Sequence, residues 1–249
     1  MEIVRKKLSD KFMSFHIAHR GLHGEGVCEN SMEAFRRAIE SGYGIELDVH
    51  LTKDNKLCVI HDSYLSRMTD KPGVAERLTS EELEEYTLKD GQKIPFLPEV
   101  LKLVDGRVPL LIELKFRRMF NEAQADELLR ELEDYPYKDM VALQSFHPLA
   151  VKYLKSHTDE YAVGYLSSYK LIKKKRSFLN YMLRTLKFYR IMHADFISYD
   201  INYLPNRYVA KKKRRGVQVL AWTVTSEEKE ERAMNGADNI IFEHIAPLD

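Results

Sequence analysis

The sequence predicts an α/β chain of the (β/α)8 barrel class, and three observations carry that prediction. Short apolar runs alternate with helical stretches from one end of the 249 residues to the other. Such alternation implies parallel strands joined by crossover helices. One pair of runs flanks a turn-forming cluster and reads as a hairpin, which reduces nine candidate strands to eight staves. Charged residues stand at the C-terminal ends of otherwise apolar runs, the place where barrel chemistry is found. A barrel of about 250 residues is ordinary, and an open doubly wound sheet is the lesser alternative.

The candidate strands in order are Phe15–Ala18, Gly44–Val49, Lys56–Ile60, Val108–Leu114, Met140–Leu143, Tyr161–Leu166, Asp195–Tyr199, Gln218–Thr223 and Asn239–Phe242. Between them, Ser31–Ser41 opens on an N-cap serine and carries Met32, Phe35, Ala38 and Ile39 at helical spacing. Ala123–Leu132 repeats the periodicity. Ser226–Asn235 has acid in its first turns and Gly236 where a helix ends. Leu47–Thr52 and Lys56–Ile60 flank Lys53-Asp54-Asn55, so they form the hairpin. A turn centred on Asp54-Asn55 places Asp48 opposite His61. Asp62–Pro95 is the longest stretch without a strand, with Pro72-Gly73 and a helix-like Ser80–Tyr86. An insertion of that length after the hairpin predicts a functional element that helps shape a pocket. No linker, repeat or low-complexity tract divides the chain, so residues 1–249 read as one domain, with the insertion at about 62–95.

Composition narrows the function. Lys and Arg total 39, Asp and Glu 38, for a net charge of +1, and 44% of residues are hydrophobic. That supplies a sizeable core and excludes wholesale disorder. The near-zero charge argues against a dedicated nucleic-acid binder. Cys28 and Cys58 are too few for a disulfide framework or a cysteine zinc site. No signal-like or membrane-spanning run is visible, so the expectation is a soluble, cytoplasmic protein.

The strand ends carry His19-Arg20, Glu46 and Asp48, Glu113 and Lys115, Gln144-Ser145, Ser198, Trp222-Thr223 and Glu243-His244. Glu46 and Asp48 are two apart on a strand and share a face, as do Glu113 and Lys115. Any one of these carboxylates is most simply paired with Arg20 or Lys115. Three converging on one mouth would repel and raise one another's pKa, which a divalent cation relieves. Oxygen-only ligation favours Mg2+, Ca2+ or Mn2+ over zinc. His19 and His61 are the proton-transfer candidates, since imidazole titrates near neutrality. His23 is ambiguous, because it follows the same strand in a Gly-rich loop, and the remaining histidines read as structural. Arg20 suits two-point phosphate binding and Lys115 a point charge. Together the set points to metal-assisted phosphoester cleavage.

These residues are similar to the motifs of the glycerophosphodiester phosphodiesterase family. Ile17-Ala18-His19-Arg20-Gly21 and Glu29-Asn30-Ser31 resemble its opening blocks. Ile45–Val49, Leu51–Asp54 and Val59–Asp62 match the second, and Ile112–Lys115 the third. Leu143–Phe146 and Ala221–Val224 look like its later strands, so the resemblance spans about Phe15 to His244. It implies a TIM barrel that hydrolyses glycerophosphodiesters to glycerol 3-phosphate and an alcohol with a divalent metal. On that resemblance Glu46, Asp48 and Glu113 hold the metal, and His19 and His61 are general acid and base. Arg20 and Lys115 hold the phosphate, and Glu29, Asn30, Gln144 and Trp222 bind substrate. The chain departs from the family at Ser31 for the usual Thr, at Val27-Cys28 where Pro is common, and at Phe242-Glu243-His244 where an Asp-containing ending is usual.

From Tyr161 to Ala194 there is no acid and there are eight Lys or Arg, including Lys173-Lys174-Lys175-Arg176. Leu179, Met182, Leu183 and Leu186 run through this segment as a stripe. The simpler reading is a barrel helix with a positive solvated face; the alternative is peripheral membrane contact through 170–192. That alternative goes with lysophospholipase D-like cleavage of lysophospholipids. A non-catalytic phosphate-compound binding barrel is a further alternative, whereas a purely structural role leaves the charged strand ends unexplained. Head group and oligomeric state are not legible in the sequence.

Overall fold

The computed structural model describes residues 5–117, 119–169 and 178–248. Among the described residues, nine strands form one sheet: β1 (Ile17–Ala18), β2 (Gly44–Leu51), β3 (Leu57–Val59), β4 (Leu110–Leu114), β5 (Val141–Ser145), β6 (Ala162–Ser167), β7 (Phe196–Asp200), β8 (Val219–Val224) and β9 (Asn239–Phe242). Eight are parallel, in the order β1-β9-β8-β7-β6-β5-β4-β2, and β1 pairs with both β9 and β2. The barrel is therefore closed, as the alternating pattern predicts. β3 is the ninth strand, antiparallel to β2 on the outside of that ring.

The hairpin register differs from expectation by one residue. Val49 pairs with Val59 and His50 with Cys58, and the Ile60 N–H donates to the Asp48 carbonyl at 3.0 Å. Asp48 thus faces Ile60, not His61. The cause is a three-residue turn: Asn55 adopts a left-handed φ of 59°, and the Thr52 N–H reaches the Lys56 carbonyl at 2.8 Å. Three-residue hairpin loops ending in a left-handed residue shift the pairing in this way.

Helices α1 (Asp10–Met13), α2 (Met32–Glu40), α3 (Ser80–Glu84), α4 (Leu97–Val104), α5 (Glu122–Leu132), α6 (Pro148–His157), α7 (Phe178–Arg184), α8 (Lys187–Met192), α9 (Arg207–Lys213) and α10 (Glu227–Met234) follow in chain order. α2 forms where expected. Ser31 Oγ accepts the Ala34 N–H at 3.2 Å, a cap that contributes about 1 kcal/mol. Its apolar stripe buries Ala34, Phe35 and Ala38, and a buried Phe contributes about 1.5–3 kcal/mol.

Strand alternation sorts side chains into two environments. On β2, Ile45, Leu47, Val49 and Leu51 pack outward in the main apolar cluster, as do Leu110, Ile112 and Leu114 on β4. The intervening residues Glu46, Asp48 and Glu113 share the other face. A second cluster fills the lower barrel: Ile17, Leu111, Ala142, Ala162, Phe196, Leu220 and Ile241, sealed by Leu8 and Phe12 from the N-terminal segment. Backbone bonds fix that seal, with the Lys6 N–H on Asp195 Oδ1 at 2.9 Å and the Leu8 N–H on Gln218 Oε1 at 2.8 Å.

The segment between β3 and α4 has its own small core, in which Leu65, Ala75, Leu83, Tyr86, Leu88 and Ile94 pack on Cys58 and Ile60. It carries α3, with a Thr79/Glu82 capping box, and 3-10 turns at Leu65–Arg67 and Ala75–Arg77. In the basic segment, Leu183, Leu186, Tyr189 and Met192 are buried, so the apolar stripe faces the barrel there. The run Lys173–Arg176 lies outside the described residues.

Candidate active site

Glu46 and Asp48 are each 1% exposed and Glu113 is 5% exposed. Their carboxylate oxygens lie within 4.8 Å of one another. Register explains the convergence: Asp48 pairs with Glu113 across β2–β4, and Glu113 with Gln144 across β4–β5. Lys115 Nζ sits 3.2 Å from Asp48 Oδ1 and 2.8 Å from Glu113 Oε1. Arg20 Nε is 3.4 Å from Asp48 Oδ2, and the Arg20 backbone N–H donates to Glu46 Oε2 at 3.0 Å.

Arg20 and Asn30 both have left-handed backbones, with φ of 58° and 55°. Gly21 follows at φ 77° and passes so near α2 that a Cβ there would stand 2.9 Å from the Ala34 carbonyl carbon. This tight turn swings Asn30 back, and its Nδ2 donates to Asp48 Oδ2 at 2.9 Å.

Electrostatics separate the three acids. Burial, together with the charges of Asp48 and Glu113, pushes Glu46 well above the usual carboxylate range. Burial and the Asp48 charge hold Glu113 up at about 7, against Lys115. Asp48 is desolvated too, but Lys115 and Arg20 outweigh burial and keep it well below the usual range. Fully ionised, the three carboxylates outnumber the two cations beside them, and Asp48 Oδ1, despite its ion pair with Lys115, is buried without a hydrogen bond among the described residues. An all-oxygen donor set with that imbalance fits a hard divalent ion; Glu46, Asp48 and Glu113 are the residues that could hold it.

Both histidines flank this cluster, and each is oriented by a carboxylate. His19 Nδ1 is 2.7 Å from Glu243 Oε2, and its Nε2 is 4.0 Å from Glu46 Oε2. His61 Nδ1 is 2.6 Å from Asp62 Oδ1. Burial lowers the His61 pKa, opposed by the Asp48 charge. Although His61 is not the cross-strand partner of Asp48, it remains within electrostatic reach. His50 Nε2 contacts the His61 carbonyl at 3.0 Å and its Nδ1 contacts Glu76 at 3.0 Å, which fixes the backbone that presents His61.

The other expected residues take up definite places. Glu29 accepts from Arg20 Nη1 at 2.8 Å and from Arg67 Nη2 at 2.7 Å, so its carboxylate orients two guanidinium groups. Arg67 also pairs with Asp62. Gln144 is buried and accepts the Ser198 hydroxyl at 2.7 Å. Trp222 packs edge-on against Phe146 with centroids 5.3 Å apart, and its buried indole N–H has no partner among the described residues. Glu243, Asp62 and Arg67 are the residues that sequence reasoning did not assign. Glu243 stands visibly at a strand end, whereas Asp62 and Arg67 show no signal beyond adjacency to His61.

Two depressions meet at Lys115 and Phe116. A polar one of about 380 Å3 is lined by His50, His61, Asp62, Ser63 and Arg67. An apolar one of about 330 Å3 is lined by Phe116, Phe146, Pro148, Leu183 and Phe188, with Glu113 and Lys115 at its inner end.

Residues 19–246 match the model of the glycerophosphoryl diester phosphodiesterase family. The chain belongs to that family. As a member it is a phosphodiester hydrolase. It is 33% identical over 235 residues to a glycerophosphodiester phosphodiesterase of Caldanaerobacter subterraneus subsp. tengcongensis, covering 90% of this chain and 92% of the relative. It is 32% identical over 142 residues to the human lysophospholipase D GDPD1, covering 51% of this chain and 45% of that protein. Among solved structures, a glycerophosphodiester phosphodiesterase from Parabacteroides distasonis superposes with a TM-score of 0.76 at 27% identity, covering 91% of each chain. An Oleispira antarctica phosphodiesterase, solved with sn-glycerol-3-phosphate, shares the family fold with a TM-score of 0.77 at 24% identity, again over 91% of each chain.

Proposed function

We propose that this family member hydrolyses glycerophosphodiesters to glycerol 3-phosphate and an alcohol, with a hard divalent ion held by Glu46, Asp48 and Glu113. The observation that carries this reading is the pair of histidines, each with Nδ1 on a carboxylate and each within electrostatic reach of Asp48 in the buried acid cluster. Engagement of Nδ1 leaves Nε2 of each ring as the reacting nitrogen. One Nε2 accepts the proton of the attacking oxygen. The other, protonated beforehand, delivers a proton to the departing alkoxide, so the two rings exchange protonation states in each turnover. Arg20 and Lys115 bind the phosphoryl oxygens, and Trp222 offers its unpartnered N–H to the substrate. The ion, when bound, supplies charge neutralisation at phosphorus. Glu29, Asn30 and Gln144 support the site by fixing Arg20, Asp48 and the barrel interior.

The deciding experiment is glycerol 3-phosphate release from glycerophosphocholine with Mg2+ or Ca2+, with chelator, and in His19→Ala. Metal-dependent release that is lost in the variant supports the reading. Absence of release with every ion overturns it.

The apolar depression ending at Lys115 favours a second reading, cleavage of lysophospholipids. Its Phe116, Phe146 and Phe188 walls would accept an acyl chain beside the phosphate. Phe178 is 76% exposed and Ile191 58% exposed, and both lie in 170–192, where membrane contact would occur. Faster turnover of lysophosphatidylcholine than of glycerophosphocholine, reversed by Phe188→Ala, would establish it. No helix among the described residues is long and apolar enough to cross a membrane. We further propose a cytoplasmic enzyme in which residues 1–249 form one domain.

A further inference from the structure

A second group of donors converges beside His19, and its chemistry differs from that of the acid cluster. His23, Glu243 and His244 each offer one ligand atom, and these atoms lie within 4.8 Å of one another. Glu243 Oε1 is 3.5 Å from His23 Nε2 and 3.0 Å from His244 Nε2. The two rings meet edge to face, with centroids 5.0 Å apart at 79°. His23 Nε2 is buried with no hydrogen-bond partner among the described residues, on a side chain only 10% exposed. That unpartnered nitrogen aims at the same carboxylate oxygen as His244. The His244 side chain is 56% exposed, which leaves an entry from solvent.

We propose that His23, Glu243 and His244 form a second metal site, for a borderline-soft divalent ion such as Zn2+. Imidazole nitrogen selects zinc, cobalt, nickel and copper, whereas an oxygen-only set selects magnesium, calcium and manganese. Two histidines and one carboxylate supply three ligands and leave a fourth tetrahedral position open to water or a ligand oxygen. The loop after β1 brings His23, and the end of β9 brings the other two. Glu243 then has two duties: Oε1 faces the ion, and Oε2 holds His19 Nδ1 at 2.7 Å. Occupancy of this site withdraws negative charge from the carboxylate that orients His19, so zinc tunes the site through a histidine that itself binds no ion. The ligand set goes beyond the reaction proposed above and stands independently of it; only the tuning of His19 rests on that reading.

The test is Co2+ and Zn2+ binding to the full chain in saturating Mg2+, added to compete for the acid cluster. The expected result is one equivalent of Co2+ with the intense visible absorption of a tetrahedral ion, displaced by Zn2+. His244→Ala and, separately, His23→Gln should each weaken this binding by at least roughly tenfold, while Asp48→Asn retains it. Histidine ring 15N resonances of His23 and His244 should shift with added Zn2+. Absence of Co2+ binding in saturating Mg2+, or binding unchanged in both histidine variants, overturns the proposal.

Discussion

His19 Nδ1 and Glu243 Oε2 stand 2.7 Å apart across 224 residues of sequence. The first and last strands of the ring thus meet in one polar contact at the barrel mouth. Replacement of Glu243 by Gln keeps an oxygen in place and removes the charge. Turnover of the preferred phosphodiester should fall roughly 10–100-fold, the range for a residue that orients a reacting group. His19→Ala should cost more, about 100- to 10,000-fold. Steady-state kinetics of the two single variants and the double variant check this, and the double variant should lose little beyond His19→Ala.

The same contact predicts acid behaviour. The hydrogen bond to His19 holds the Glu243 pKa down at about 2, against partial burial. A depressed carboxylate pKa contributes stability that is fully present above its unfolded value, near 4.5, and is lost as pH falls through the folded value. Wild type should therefore exceed His19→Gln in thermal midpoint at about pH 5. The difference should shrink toward zero as pH approaches 2, as calorimetry across that range would show.

The acid cluster carries the opposite sign. Burial and the Asp48 charge lift Glu113 to about 7 and Glu46 well above its usual value. The folded protein without metal binds more protons than the unfolded chain, so these groups reduce stability as pH rises from about 4.5 through 7. A divalent ion reverses the penalty by displacing protons. Calorimetric titration of Mg2+ or Ca2+ near pH 6.5, in buffers of differing ionisation enthalpy, should show net proton release. Ion affinity should rise with pH, and Glu113→Gln should reduce both effects.

Gly164 is fixed by packing. A Cβ there would collide with the ring of Phe196, which fills the lower barrel. Gly164→Ala should destabilise by about 1–3 kcal/mol, the usual cost of overpacking. A lower denaturant midpoint with an unchanged slope is the expected observation.

Legibility in the sequence followed the range of the physics involved. Eight staves and the alternation of Glu46 with Asp48 follow from a two-residue period, which is local, and they appear in the structure as expected. The Ser31 and Ser226 caps are local too, and both head helices. The hairpin register turned on the φ of a single residue, Asn55, which periodicity does not encode. The Glu243 partner of His19 was hidden because a contact across the closing seam leaves no mark on either flanking segment. Asp62 and Arg67 were missed because their segment is ordered by a small core of irregular spacing, from Leu65 to Ile94. Leu183 and Leu186 were legible as a stripe, and their burial supports the simpler reading of a barrel helix for that part of the segment.

The plug of Leu8 and Phe12 under the barrel sets a temporal order on synthesis. Its polar anchors, Asp195 and Gln218, lie 189 and 210 residues further along the chain. Lys6 and Leu8 therefore leave the ribosome well before these partners and wait without them until Asp195 and Gln218 have followed. Contacts of such long sequence separation are formed late and slowly. Amide exchange pulsed during refolding should show Lys6 and Leu8 among the last groups to become protected.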